Sequence, residues 1–181
     1  MTNKEFFHYL NTEVYGTNKV SLLRMPYHIW YNTFIDLEHS FLFHLRLMQR
    51  WGTSKSKIGR LLGSIVQKRI LSRYGCCTHP FSKIGIGFHV PHPTGIVIGR
   101  DVVIGEHCTL YQNVTLGSKV DAGHDVAPQP ILGNKVMIYA NSLVLGGVFV
   151  QDGTIVGAHS MVLEDTDVNG VYVGVPAKKK L

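Results

Sequence analysis

Residues 96–117 read IVIGRDVVIGEHCTLYQNVTLG, and their apolar side chains return every six positions, at Ile98, Ile104, Leu110 and Leu116. Glycine follows at Gly99, Gly105 and Gly117, and a small or β-branched residue stands four places on, at Val102, Cys108 and Val114. Outward from this stretch the steps of six reach His92, Ile86 and Pro80 on one side. On the other they resume at Leu132 and continue through Ile138, Val144, Val150, Val156 and Val162. Only Pro80 and His92 depart from Ile, Leu or Val. A period of six suits neither an amphipathic helix, which needs about 3.6, nor a half-buried strand, which needs 2. It suits a solenoid: each hexad is one short strand and one corner, and three close a triangular coil. Aliphatic residues eighteen apart then stack inside it at one strand spacing, about 4.8 Å.

From Leu116 to Leu132 the step is sixteen, so about ten residues leave the coil as a loop near 118–130, sequence SKVDAGHDVAPQP. Before Cys76 there are no hexads. Apolar spacings of three and four in Phe41–Met48 and Ile58–Ile70 predict helices instead. The chain divides into a helical region 1–75, a mainly β coil 76–169 and a tail 170–181.

The formal charge of +6 is carried by the first part, with no acidic residue from His39 to Gly75. The basic stretch 46–73 fits contact with an anionic acceptor or a membrane surface, and equally a solvated helical face. No nucleic-acid motif accompanies it, so nucleic acid is not expected as a partner. Cys76, Cys77 and Cys108 form no CxxC and no even set, which points to a reducing, cytoplasmic compartment. The N-terminus has no signal-peptide pattern.

His92 takes a slot where the repeat asks for an inward aliphatic, and local rule-breaking of this kind is expected at functional sites. An imidazole there can take a proton from a hydroxyl, or be a buried histidine satisfied by a carbonyl. His89 and His107, eighteen apart, would stack on adjacent turns, but no third ligand completes a zinc site, and no metal is expected. His124 lies in the extruded loop, Cys108 in a packing column, and His79 at the start of the coil.

The run His92-Pro93-Thr94-Gly95-Ile96-Val97-Ile98-Gly99 resembles the His-Ala-Thr-Gly-Ile-Val-Val-Gly segment of bacterial serine acetyltransferases. Gln112-Asn113-Val114-Thr115-Leu116-Gly117 resembles their Gln-Ser-Val-Thr-Leu-Gly, and Gly174-Val175-Pro176-Ala177 their closing Gly-Val-Pro-Ala. The resemblance covers about residues 76–178. It implies a left-handed parallel β-helix of hexapeptide repeats, assembled as a homotrimer with acetyl-CoA between subunits. It implies His92 as the catalytic base and Gly117, Ser118, Ala140, Ala158 and Lys178 along the CoA.

Three departures stand out. Cys77 and Pro91 occupy positions of two family aspartates, and Pro128-Gln129 replaces an Arg-His pair. His124 and Gln129 are left as acceptor-binding candidates. The expected activity is O-acetylation of a hydroxyl, with a surface-polysaccharide sugar first and serine as the alternative. A γ-type carbonic anhydrase and a non-catalytic trimeric scaffold are the readings of another class.

Overall fold

The computed structural model describes residues 1–15, 27, 30–31, 35–119 and 127–180. Among these residues fourteen short strands form three faces, parallel except for the last strand, and each face gathers strands from successive turns of the chain. Face A holds β1 (Cys77–Thr78), β3 (Val97–Ile98), β6 (Thr115–Gly117), β9 (Leu143–Leu145) and β12 (Met161–Val162). Face B holds β2 (Lys83–Ile84), β4 (Val103–Ile104), β7 (Ile131–Leu132) and β10 (Phe149–Val150). Face C holds β5 (Thr109–Leu110), β8 (Met137–Ile138), β11 (Ile155–Val156), β13 (Val171–Val173) and β14 (Lys178–Lys179). This is the triangular coil that the hexads imply and the left-handed β-helix that the family resemblance implies.

Register explains the core. Val97 pairs with Thr115 and Leu143 with Met161, eighteen residues apart, so Ile98 lies on Leu116 and Val144 on Val162. Inward residues such as Ile104, Leu110, Leu116, Val144 and Val150 are buried. Each contributes about 1.5–3 kcal/mol by leaving water. Thr115 pairs with Leu143, twenty-eight residues on, so ten residues more than one turn fall between faces A and B; of the expected loop 118–130, residues 120–126 lie outside the described residues.

The first turn departs from the expected register. Cys77 pairs with Val97 and Lys83 with Val103, twenty residues apart. The inward residues there are Thr78, Ile84 and Val90, not Pro80, Ile86 and His92. Two surplus residues are absorbed in the corner between faces C and A, which carries Pro91, His92 and Pro93. The tail differs too. Val171–Val173 continues face C beside β11, and Lys178–Lys179 folds back antiparallel on it.

Ahead of the coil lie α1 (Asn3–Tyr9), continued as a π-helical segment Leu10–Tyr15, then α2 (Leu37–Gly52) and α3 (Lys57–Tyr74). Thr2 and Glu5 form a capping box on α1, Asp36 caps α2, and Gly75, at φ 63°, ends α3. Gly63 faces the backbone of Gly52 so closely that a Cβ would lie 2.5 Å from its nitrogen, which fixes the α2–α3 crossing.

One buried side chain ties helices to coil. Arg46 is fully buried and makes a bidentate pair with Glu13, Nε to Oε2 at 2.8 Å and Nη2 to Oε1 at 2.6 Å. Its other N–H groups donate to Gln49 Oε1 and to the carbonyls of Ile84 and Gly85. Glu13 Oε1 in turn accepts from the amides of Gly87 and Phe88. Every donor of the guanidinium fork is used.

Arg46→Ala should lower the unfolding free energy by about 3–5 kcal/mol in urea denaturation, because it strands the buried Glu13 carboxylate. A loss of about 1 kcal/mol or less, typical of a surface pair, would mean that the network does not anchor the helices.

Candidate active site

The corner between faces C and A, repeated down the coil, carries the residues best placed for chemistry. His92 is exposed there, and its slot is not the inward one expected from the hexads. It is held from behind: Pro93 is buried, the Thr94 amide donates to the His92 carbonyl at 2.8 Å, and the Gly95 amide reaches the Tyr74 carbonyl. Gly95 has φ 67° and passes so near Asn113 that a side chain there would clash, which forces glycine at this position. The His92 ring lies 6.4 Å from that of Tyr111, centroid to centroid, and Tyr111 stacks on Tyr139 at 5.0 Å. Beside this aromatic stack runs a polar ladder. Asn113 Nδ2 donates to Asn141 Oδ1 at 2.9 Å, and Asn141 Nδ2 approaches His159 Nε2 at 3.4 Å. Asn113, Asn141 and His159 all have positive φ, the conformation that turns the chain at each corner.

Among the described residues the His92 imidazole has no hydrogen-bond partner. Cys77, at the position of a family aspartate, is an exposed thiol. His89 does not turn to His92. Its Nδ1 lies 2.9 Å from Glu38, whose Oε1 also accepts the Val90 amide at 2.8 Å. Helix α2 thus clamps the strand that leads into the His92 corner. The twenty-residue first turn also separates His89 from His107. His89 bridges to Thr109, and His107 lies over Gly87, so the imagined zinc pair is not formed.

Ala140 and Ala158 sit one turn apart on the same corner as His92, Ala158 exposed. Gly117 and Ser118 sit at the far end of the face A strands, where a Cβ on Gly117 would meet nothing within 4 Å. Small residues and open space at both positions fit a slender chain laid along the coil. They lie at opposite ends of face A, so the two groups converge only if one copy's A–B corner faces another's C–A corner. Lys178 lies on β14, in an exposed pair with Glu164 at 3.3 Å, worth little by itself. Gln129 packs over Gly99 at the A–B corner with Oε1 buried and unpartnered, at the end of the face A strands away from His92. His124 lies outside the described residues. A cavity of about 500 Å³ between the N-terminal helices and face B, lined by Tyr9, Gln49, Phe81 and Lys83, does not include His92.

Tyr111 and Tyr139 escape the hexad reading because they belong to no inward column. They are twenty-eight residues apart, the same offset as Thr115 and Leu143, so excising the loop would have aligned them.

The structure aligns with a serine acetyltransferase in complex with CoA at TM-score 0.78 and 25% identity, covering 98% of this chain and 71% of that one. The fold is that of the serine acetyltransferases. In sequence the chain is 34% identical over 121 residues to a serine acetyltransferase of Synechococcus elongatus, covering 67% of this chain and 47% of that protein. It is 39% identical over 100 residues to one of Helicobacter pylori strain J99, covering 55% and 57%. The chain thus spans about half the length of these serine acetyltransferases. No family model matches it.

Cys77 is the exposed thiol among three, while burial pushes Cys76 up and Cys108 up to about 11. Titration of the native protein with a thiol reagent should therefore label Cys77 alone, and Cys77→Ser should abolish the fast phase. Fast reaction of a second thiol would show that the coil opens at Cys76 or Cys108.

Proposed function

We propose that the protein is an acetyl-CoA-dependent O-acetyltransferase in which His92 is the general base. The observation that carries this is the exposed His92 imidazole at a rigid corner, in the motif position of the family's catalytic histidine, on the same corner as the small residues Ala140 and Ala158. Acetyl-CoA, when bound, supplies an activated acetyl thioester. Gly117, Ser118, Ala140, Ala158 and Lys178 are the residues that would hold it. His92 would take the proton of the acceptor hydroxyl as its oxygen bonds to the thioester carbonyl carbon; the C–S bond breaks, and the imidazolium would return that proton to the departing CoA thiolate, with Tyr111 beside the ring. Since the two groups of cofactor residues lie at opposite ends of face A, the reading includes a closed homotrimer with clefts between neighbouring copies.

Serine is the first acceptor, because the relatives and the aligned structure bear the name serine acetyltransferase. This reverses the order expected from the sequence, which put a surface polysaccharide ahead. A carbohydrate hydroxyl stays as the second reading on a specific observation. Cys77, Pro91 and Gln129 stand where the family has charged or ionisable partners, and the Tyr111–Tyr139 stack beside His92 offers a flat apolar face to a sugar ring.

The test is thioester cleavage of acetyl-CoA, with serine and a panel of sugars and oligosaccharides as acceptors. Transfer to serine, lowered about 10²–10⁴-fold in kcat by His92→Ala with CoA affinity retained, is the expected result. Turnover confined to a sugar would move the second reading to first place. Full activity of His92→Ala would remove His92 from the chemistry.

A further inference from the structure

Helix α3 has two unlike sides. Gly59, Gly63, Val66, Ile70 and Tyr74 form the seam against α2 and the coil, where the two glycines allow close approach. That seam uses the side of the helix that packing needs. On the opposite side Ile58, Leu61, Leu62 and Ile65, spaced three and four apart, are 71%, 62%, 37% and 55% exposed. A contiguous stripe of four large aliphatics is unusual on a surface that meets only water. Its borders are cationic: Lys57 flanks Leu61, while Lys68 and Arg69 stand one turn after Ile65. The helix has five Lys or Arg and no Asp or Glu, and Lys55 precedes it.

We propose that this face of α3 seats the protein on an anionic lipid surface. The apolar stripe would sink to the boundary between headgroups and acyl chains, and the flanking ammonium and guanidinium groups would meet lipid phosphates. Charge argues against a second copy as the occupant, because symmetric pairing would set five cations against five with no acid between them. Among the described residues no helix is long and apolar enough to cross a membrane. This inference does not depend on the identity of the acceptor.

Flotation of the full chain with phosphatidylcholine vesicles, with and without phosphatidylglycerol, tests it. The protein should float only with the anionic vesicles and be released by high salt. Ile58→Ser with Ile65→Ser, and separately Lys57→Glu with Lys68→Glu, should each weaken partitioning by about tenfold or more. Both should keep the wild-type circular dichroism, melting temperature and vesicle-free activity. Equal binding to both vesicle types, or none at low salt, would overturn the proposal. So would an Ile58/Ile65 variant that changes the mass seen by light scattering while the wild type ignores vesicles, since the face would then belong to a second copy.

Discussion

Parallel pairing between successive turns is the constraint on which the rest of this molecule depends. Each strand is only two or three residues long, so its hydrogen bonds hold only while it lies in register over its neighbour. Eighteen residues per turn satisfy that condition on all three faces. Any surplus must leave at a corner, because a residue added within a strand would turn the inward aliphatics outward. The chain carries such surpluses twice, two residues at the His92 corner and ten in the loop after face A. The most reactive-looking parts of the protein are thus where the ladder could not accommodate the sequence.

The corner is rigid although His92 is exposed. The Tyr74 carbonyl, buried Pro93 and the Glu38 clamp on Val90 fix the backbone on either side of the imidazole. Those contacts reach back to α2, which Arg46 with Glu13 fastens to the same first turn, and to α3, whose Gln67 Nε2 donates to the Thr78 carbonyl at 2.8 Å. Helices and coil therefore position the proposed base together. His44 shows the same economy of buried polar groups. Its Nε2 accepts from Arg69 Nε at 3.0 Å, so its proton is on Nδ1, directed at the Ser40 carbonyl at 2.6 Å. Burial, with Arg69 and Arg73 nearby, keeps it below the usual histidine range and hence neutral.

The coil was legible in the sequence because Ile98 through Val162 repeat an inward aliphatic every six residues on either side of one sixteen-residue step, and α2 and α3 because their apolar residues recur three and four apart. The first turn was not. Ile84 and Ile86 are both aliphatic and two apart, so the pattern there supports two registers, and stepping back from Ile98 selects the wrong one. His92 was singled out for a reason the fold does not support, as an intruder in the core, when it occupies an outward corner. Gln129, read as an acceptor-binding residue, and His92, read as the base, stand at opposite ends of face A within one chain. The Arg46–Glu13 pair had no local signal, since thirty-three residues separate its members.

Chemical rescue is the most direct test of the claim that the His92 corner supplies the base. His92→Gly leaves the rigid backbone of the corner with a vacancy open to solvent. Added imidazole should restore acetyl transfer to this variant in proportion to its concentration, following the neutral form of the imidazole as pH changes, with no effect on the wild type. An inactive variant that binds acetyl-CoA normally but gains nothing from imidazole at any pH would contradict the assignment.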